Sequence, residues 1–340
     1  MKILIVKLSS LGDVVHAMPA VQDLRCALPQ ALIDWVVEPA FAPLVRRCNG
    51  VQRVIECDLR RWRRAPLAAG TLSGWRAFRA ELQAQAYDRV IDLQGLSKSA
   101  LVAWLARLAP GGRRVALAGR SDGSAYESPT RWVADQVVAL PAHIGAVARS
   151  RALCANGLGY PLPDAASFGL LARTQLEGVA IEKEASIALG PKVVVLAHGS
   201  SRTDKLWPLA AWQALGQRLM AQGYRLALPH GNDAELQQAQ AIAQPLARAQ
   251  VWPRLGLDAL TDVLAACAGV IGVDSGLSHM AVALHLPHVQ IYNFDTAWRT
   301  GPAPGSLQCS VLGTPSPTVD QVWQAWKAVC PVASTVAEPT

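Results

Sequence analysis

The loop Ser9-Ser-Leu-Gly-Asp13 places a carboxylate between an apolar run and an amphipathic stretch. The run from Ile3 to Val6 is typical of a parallel strand buried on both faces, and apolar residues recur at helical spacing from Val14 onward. Loops at the carboxyl ends of parallel strands line ligand sites, so Asp13 is a candidate for chemistry. The alternative is a helix cap, because Asp is favoured at helix N-termini.

Three loops in the second half of the chain carry groups suited to a phosphorylated ligand. The first follows the apolar run from Val193 to Ala197 and contains Ser200, Ser201 and Lys205. Its small residues let backbone N–H groups approach an anion, while the two hydroxyls and the ammonium group add hydrogen-bond donors. An ordinary polar loop is the alternative interpretation.

The second loop runs from Asp274 to His279 and precedes an apolar helical stripe. Ser275, Gly276 and Leu277 would present the unpaired N–H groups of a first helical turn, which bind phosphate with the help of the helix dipole. His279 can donate to the same phosphate or serve as a structural group. Asp274 suits a cap or a hydroxyl ligand better than a phosphate contact, because two anions repel.

The third loop follows a run that ends at Leu228 and contains Glu235. This glutamate either accepts from ribose hydroxyls or interacts with the dipole of the helix that it begins. The chain has no Gly-x-x-x-x-Gly-Lys-Ser/Thr motif, and no Gly-x-Gly-x-x-Gly motif follows its first predicted strand. The missing motifs argue against a P-loop NTPase and disfavour a dehydrogenase.

A basic cluster in the first half, Arg60-Arg-Trp-Arg-Arg64, sets four guanidinium groups around an indole. Guanidinium groups suit bidentate recognition of phosphate or carboxylate. Lys98 follows another predicted strand, so we expect it at the carboxyl-end edge of the same sheet as Asp13. A solvated charge run is the alternative, and nucleic-acid binding is not predicted because no aromatic-basic recognition motif accompanies the cluster.

Nine apolar runs alternate with amphipathic stretches, which indicates parallel sheets built from βαβ units. The predicted strands cover residues 3–6, 33–37, 51–55, 90–93, 114–117, 193–197, 224–228, 270–273 and 289–292. We predict an α/β fold with two Rossmann-like domains, residues 1–165 and 191–316, joined by a linker over 166–190. A last amphipathic helix over 317–330 is expected to pack back toward the N-terminal domain.

Composition predicts a folded protein, since 51% of the 340 residues are hydrophobic and 17% are charged. No apolar stretch approaches the ~18 residues that a membrane-spanning helix needs, and no signal peptide is evident. The seven cysteines are scattered without a Cys-x-x-Cys pair, which favours a cytosolic protein without a structural metal. The formal charge of +7 favours an anionic partner: a nucleotide, a nucleic acid or an acidic membrane surface.

Five motifs in order along the chain resemble those of the ADP-heptose:lipopolysaccharide heptosyltransferases, of the type that adds the first heptose. They are Ser9-Ser-Leu-Gly-Asp-Val-Val-His16, Arg60-Arg-Trp-Arg-Arg64, Asp92-Leu-Gln-Gly-Leu-Ser-Lys-Ser99, Ser200-Ser-Arg-Thr-Asp-Lys-Leu-Trp-Pro208 and Asp274-Ser-Gly-Leu-Ser-His279. The resemblance implies an inverting, metal-independent GT-B glycosyltransferase without a cofactor, whose two Rossmann-like domains face a central cleft. It implies transfer of L-glycero-D-manno-heptose from ADP-heptose to the first Kdo sugar of Kdo-lipid A, with peripheral contact to anionic lipid at the cytoplasmic face of the inner membrane.

The resemblance also assigns roles to individual residues. It makes Asp13 the catalytic base, with Lys205 assisting at the donor phosphates. The donor-binding set is Ser200, Ser201, Lys205, Glu235, Asp274, Ser275, Gly276, Leu277 and His279, with Glu235 on the ribose. The acceptor-binding set is Ser10, Gly12, Arg60, Arg61, Arg63, Arg64, Lys98 and Arg120.

Two segments depart from the family pattern. Relatives have a Gly-Pro-Thr-Asp-like turn where this chain reads Tyr292-Asn-Phe-Asp-Thr296, and the segment from Arg120 to Arg131 differs from the expected acceptor loop. Three alternatives stay open: a related heptosyltransferase with a different acceptor, a nucleotide-dependent oxidoreductase, and a non-catalytic nucleotide-sugar-binding protein.

Overall fold

The computed structural model describes residues 1–173, 187–303, 305 and 307–330. The chain divides into two compact units, Met1–Leu171 and Ala172–Thr340. Most of the linker predicted over 166–190 lies outside the described residues. None of the described helices combines the length and the apolar character that crossing a membrane would need.

The first unit is built around a parallel sheet of six strands in the order β3-β2-β1-β4-β5-β6. The strands are β1 Lys2–Val6, β2 Leu32–Val37, β3 Val51–Glu56, β4 Tyr87–Asp92, β5 Leu108–Leu117 and β6 Gln136–Val138. The helices are α1 Leu11–Ala27, α2 Ala42–Val45, α3 Leu59–Arg64, α4 Ala69–Gln83, α5 Ser97–Leu105, α6 Pro129–Val133 and α7 Ala146–Leu158. A 3₁₀ helix covers Pro39–Phe41.

Helices cover both faces of this sheet, which explains why its central strand β1 is apolar from Ile3 to Val6. On one face, Leu4 and Val6 of β1 pack with Phe78 of α4 and Val102 of α5. Because side chains alternate along a strand, the intervening Ile5 faces the opposite side. It too is fully buried.

The second unit repeats this plan, with a parallel sheet in the order β9-β8-β7-β10-β11-β12. The strands are β7 Gly190–Ala197, β8 Arg225–Leu228, β9 Ala249–Val251, β10 Cys267–Val273, β11 His288–Tyr292 and β12 Gln308–Leu312. The helices are α8 Leu209–Ala221, α9 Asp233–Ala243, α10 Leu257–Ala265, α11 Gly276–Ala283, α12 Ala297–Thr300 and α13 Val319–Val329, with a 3₁₀ helix at Thr203–Lys205. When each sheet is counted from its own first strand, both have the Rossmann order 3-2-1-4-5-6.

The α/β class and all nine predicted strands are confirmed. The sequence missed β6, β9 and β12, which lie at sheet edges. β6 and β9 have only three residues each, and β12 exposes Ser310 and Leu312. An edge strand needs no continuous apolar run, so hydropathy alone does not find it.

The C-terminal helix contributes three side chains to the core of the second unit. Val322, Trp326 and Val329 of α13 belong to the same buried cluster as Val289 and Ile291 of β11. The apolar face of α13 therefore packs on the sheet of the second unit, and the expected packing of this helix toward the N-terminal domain stays a prediction.

Candidate active site

Asp13 lies in the first turn of α1 but is not its cap. The N-cap residue is Ser10, whose backbone N–H and side-chain Oγ each lie 3.0 Å from Asp13 Oδ2 and donate to it. This is the reciprocal contact of a capping box, in which the third helical residue reaches back to the cap. The simple cap interpretation of Asp13 is therefore corrected, since its carboxylate is held in place by Ser10.

Lys7 supplies the charge that keeps Asp13 ionised. Its ammonium is 3.8 Å from Asp13 Oδ1, is 2% exposed, and donates to the carbonyl of Leu93 at 3.0 Å. Burial raises the pKa of Asp13, but the charge of Lys7 and the hydrogen bonds from Ser10 outweigh it and bring the pKa to about 2. Because the Asp13 side chain is 39% exposed, an ionised carboxylate is accessible to a ligand at neutral pH.

The loop that follows β1 is fixed by the loop that follows β4. Asp92 is buried at the end of β4. It accepts hydrogen bonds from the backbone N–H groups of Gln94 and Gly95 and from the Ser99 hydroxyl, at 2.9–3.0 Å. Gln94 in that turn accepts through Oε1 from the N–H groups of Leu8 and Ser9, at 3.0 and 3.2 Å. These bonds set the position of the segment that carries Asp13.

Lys98 and Arg60 meet at a buried carboxylate that the sequence did not single out. Glu38 follows β2 directly, and its Oε1 is 3.1 Å from Lys98 Nζ while its Oε2 is 2.9 Å from Arg60 Nε. Lys98 also donates to Ser9 Oγ at 2.7 Å, which joins this group to the Asp13 loop. The strand-end argument that selected Asp13 and Lys98 would have found Glu38 had it been applied to β2.

The remaining arginines of the basic cluster face solvent. Trp62 packs against Trp75 and Phe78, with ring centroids 5.5 and 5.6 Å apart, so the indole of the cluster faces inward. Arg61, Arg63 and Arg64 are exposed, as is Arg60. The structure therefore brings Arg60 into contact with the Lys98 group through Glu38 and leaves the other three on the surface of α3.

Gly12 and Arg120 complete the predicted acceptor set. Gly12 lies in the first turn of α1 beside Asp13. Arg120 Nε donates to the carbonyl of Ser124 at 3.1 Å, within its own loop. Glu127, farther along that loop, accepts from the Ser97 N–H at 2.7 Å, which ties the loop to the start of the helix that bears Lys98.

In the second unit, Asp274 gathers the predicted donor-binding groups. Its Oδ2 is 2.6 Å from Lys205 Nζ and its Oδ1 is 3.2 Å from His279 Nε2, and the side chain is 4% exposed. Gln290 donates to the same Oδ1 at 3.4 Å. Burial raises the pKa of Asp274, but His279 and Lys205 outweigh it and hold the pKa well below its usual range. Asp274 is thus the anion that positions Lys205 and His279, and it caps no helix.

The cap of α11 is Ser275, whose Oγ accepts from the Ser278 N–H at 3.5 Å. The helix begins at Gly276, so the first-turn N–H groups of Gly276 and Leu277 follow the cap as the sequence predicted. Ser200 donates to the Asp274 carbonyl at 3.3 Å, which brings the loop after β7 to the start of α11. Ser201, the next residue of this loop after Ser200, is exposed to solvent.

Asn293 holds that same loop from the other side. Its Nδ2 donates to the carbonyls of Asp204 and Leu206, both at 2.9 Å. The hydroxyl of Tyr292 is 3.1 Å from Thr300 Oγ1. The turn that departs from the family pattern therefore supports the Lys205 loop, a role that sequence spacing did not indicate.

Glu235 lies in the first turn of α9, where Asn232 is the cap. Its Oε2 accepts from the Gly231 N–H at 2.7 Å. A Cβ added at Gly199 would lie 2.8 Å from Glu235 Cδ, so the carboxylate rests against the backbone of the loop after β7. Among the described residues, no three His, Cys, Asp or Glu side chains group as ligands for a metal ion.

Residues 75–325 match the family described as "Glycosyltransferase family 9 (heptosyltransferase)". The chain belongs to glycosyltransferase family 9. It is 37% identical over 292 residues to lipopolysaccharide heptosyltransferase 1 of Pseudomonas aeruginosa, covering 86% of this chain and 78% of that protein. It is 36% identical over 296 residues to the heptosyltransferase 1 of Escherichia coli K12, covering 86% and 88%.

Solved structures of the family agree with this assignment. The E. coli heptosyltransferase WaaC with ADP is similar at a TM-score of 0.82 and 32% identity, over 95% of this chain and 98% of that one. The same enzyme with ADP-2-deoxy-2-fluoro heptose is similar at a TM-score of 0.78 and 33% identity, with the same coverage. This family 9 protein is therefore an enzyme of the glycosyltransferase class, which removes the oxidoreductase alternative.

Proposed function

We propose that this enzyme transfers L-glycero-D-manno-heptose from ADP-heptose to the first Kdo of Kdo-lipid A, with inversion at the anomeric carbon and without a metal ion. The observation that carries the proposal is that the charged residues suited to the acceptor and those suited to the donor belong to different units of the chain. In the first unit Asp13 lies near Lys7, on a loop that Lys98 contacts through Ser9, and in the second unit Lys205 contacts Asp274 just before the start of α11.

The donor is assigned to the second unit. ADP-heptose carries a diphosphate, and the N–H groups of the first turn of α11 suit its oxygens. Lys205 adds a positive charge, and because Asp274 fixes its ammonium, the charge is in place before the reaction begins. Relatives whose structures were solved with ADP and with a fluorinated ADP-heptose support this choice of nucleotide.

Glu235 is the candidate for the donor ribose. One of its carboxylate oxygens accepts from Gly231, and the carboxylate lies against Gly199. The other oxygen has the chemistry to accept from a ribose hydroxyl.

The acceptor is assigned to the first unit. Kdo-lipid A is anionic through its carboxylate and phosphates, which suits the guanidinium group of Arg60 and the ammonium group of Lys98. Asp13 would remove the proton from the attacking hydroxyl, a contribution worth roughly two to four powers of ten in rate.

A carboxylate with a pKa of about 2 is a weak base in the unliganded protein. An anionic acceptor bound beside Lys98 and Arg60 would raise that pKa, because like charges and exclusion of water both disfavour the ionised form. We therefore expect Asp13 to become a stronger base when the acceptor binds, so that its basicity depends on the substrate.

The assay that tests the proposal measures ADP release from ADP-heptose with Kdo-lipid A as acceptor, with and without EDTA. Turnover that requires the acceptor and persists in EDTA is expected. If ADP-heptose is used only with an acceptor that already carries a heptose, the enzyme is a related heptosyltransferase. Turnover abolished by EDTA and restored by a divalent cation would contradict metal independence.

We further propose that the first unit contacts an anionic membrane, at the cytoplasmic face of the inner membrane, where a lipid-anchored acceptor would be presented. The helical layer from α3 to α6 supports this proposal. Leu67, Trp104 and Trp132 are 90%, 60% and 77% exposed, and arginines including Arg107 and Arg131 are exposed in the same layer. Aromatic rings favour the membrane interface, and each well-placed arginine adds about 1 kcal/mol on an anionic surface.

Sedimentation with vesicles tests this surface. We expect binding to phosphatidylglycerol vesicles at low salt, weaker binding at high salt, and little binding to phosphatidylcholine. Replacing both Trp104 and Trp132 by Ser should reduce binding, whereas Leu312→Ser on β12 of the second unit is the matched control. Equal binding of the double variant and the wild type would contradict the assignment.

A further inference from the structure

Glu38 occupies a buried position between two cations that come from different elements. Its side chain is 5% exposed, and its two carboxylate oxygens contact Lys98 at the start of α5 and Arg60 on α3. Its backbone N–H donates to the carbonyl of Leu8 at 3.0 Å, which fixes the end of β2 against the loop that leads to Asp13. Both oxygens of one carboxylate are thus committed to side chains of the predicted acceptor site.

Electrostatics explains why such a group is needed. Two cations that lie close together repel each other, and a carboxylate between them offsets the repulsion by attracting both. Glu38 leaves the group with one net positive charge. Arg60 is 63% exposed and Lys98 is 27% exposed, so both remain accessible to a ligand.

Lys98 connects Glu38 to the base. Its ammonium is 2.7 Å from Ser9 Oγ, and the next residue, Ser10, donates to Asp13 through its N–H and its hydroxyl. The position of Glu38 therefore determines where the two cations lie relative to the Asp13 carboxylate.

We propose that Glu38 is a positioning residue that holds Lys98 and Arg60 at fixed positions relative to Asp13. An anionic acceptor that binds the two cations then has its attacking hydroxyl beside the Asp13 carboxylate. This inference rests on the assignment of the acceptor to the first unit. Glu38 itself touches no reacting atom. It acts through the two cations.

The test compares Glu38→Gln with Asp34→Asn. Asp34 is a matched control because it is a buried carboxylate on β2, the strand that Glu38 follows, and it contacts Arg53 at 3.2 Å and Tyr87 at 2.7 Å rather than Lys98 and Arg60. We expect Glu38→Gln to raise the acceptor KM by roughly tenfold or more, since Lys98 and Arg60 lose the buried carboxylate that holds them in place. The donor KM should stay unchanged, and Asp34→Asn should leave both KM values at the wild-type level.

Thermal unfolding of both variants separates positioning from a general loss of structure. If Glu38→Gln and Asp34→Asn lower the melting temperature alike and change the acceptor KM alike, the role of Glu38 is structural and the proposal is overturned. An unchanged acceptor KM in Glu38→Gln, with a wild type that turns over Kdo-lipid A, also overturns it and leaves the proposed function intact.

Crystal structures of the wild type and Glu38→Gln test the inference independently of any acceptor. In the variant we expect Lys98 Nζ to leave Ser9 Oγ and the Arg60 guanidinium to move away from residue 38. Both groups remaining in place would overturn the proposal, whether or not Kdo-lipid A is the acceptor. A wild type inactive on Kdo-lipid A, with both groups displaced in the variant, would instead reject the proposed acceptor and retain the positioning role.

Discussion

Carboxylates in segments that follow strands lie beside cations in both units. Asp13 is held by Ser10 and lies near Lys7, Glu38 holds Lys98 and Arg60, and Asp274 contacts Lys205. In the last two cases an acidic side chain sets where a basic group lies. Such pairs place charge before a substrate arrives, which is the arrangement that electrostatic catalysis requires.

Residue types and strand-end loops could be read from the sequence, but the partners could not. The contact between Lys205 and Asp274 joins residues 69 positions apart, and spacing contains no information about it. Asp274 was expected to cap a helix or bind a hydroxyl, whereas its neighbour Ser275 is the cap. Glu38 was missed because it stands outside any recognised motif.

Asp274→Asn should make the second unit less stable in a way that depends on pH. The folded-state pKa of Asp274 lies below its unfolded value, so its ionised form adds stability above about pH 4, the unfolded pKa. That contribution is lost as the pH falls toward the folded pKa. Urea unfolding should give a difference in the free energy of unfolding between the two proteins that decreases from pH 7 to pH 3. A difference that stays constant over this range would contradict the stabilising role of ionised Asp274.

At the scale of elements, apolar runs predict the interior strands because these are buried on both faces. Val193 to Ala197 and Val270 to Val273 were recognised for this reason. The edge strands β6, β9 and β12 were missed because each is short or partly exposed and contains polar residues that interrupt an apolar run. The packing of α13 on β11 could not be read from the sequence, because amphipathicity shows that a helix has an apolar face without showing which surface covers it.

A buried ion pair fastens α1 to α7. Arg151 contacts both oxygens of Asp23, at 2.7 and 3.1 Å, and also donates to the carbonyls of Pro163 and Ala165. Asp23→Leu would leave the guanidinium buried without a counter-charge, at a cost of about 3 to 5 kcal/mol. Hydrogen exchange of the amides in α1 and α7 should accelerate accordingly.

Arg53→Leu is the control for that experiment, because Arg53 on β3 pairs with Asp34 on β2 and is more exposed than Arg151, at 30% against 7%. Its effect on exchange in α1 and α7 should be small. Equal acceleration in both variants would show that the Asp23–Arg151 pair has no special role.

At the scale of the whole molecule, the two units share a strand order and divide the chemistry. Both sheets place their functional loops after strands of the Rossmann plan. The first unit carries Asp13 and the arginine cluster, whereas the second carries Lys205 and the α11 N-terminus. The division was readable from the sequence because the motifs fall in separate halves of the chain.

The membership in glycosyltransferase family 9 and the net charge of +7 fit an enzyme that handles anionic substrates. Charge alone left nucleotide, nucleic acid and membrane as partners. The family assignment favours the nucleotide sugar. The acceptor and the membrane contact stay predictions that depend on the first unit.

Asp13→Asn tests the central claim most directly, in an assay that measures donor binding and ADP release from ADP-heptose with Kdo-lipid A separately. The variant keeps the size of the side chain and removes the base. We predict wild-type affinity for ADP-heptose and a turnover roughly two to four powers of ten lower. Turnover near the wild-type level in a protein that binds ADP-heptose normally would contradict the assignment of Asp13 as the base.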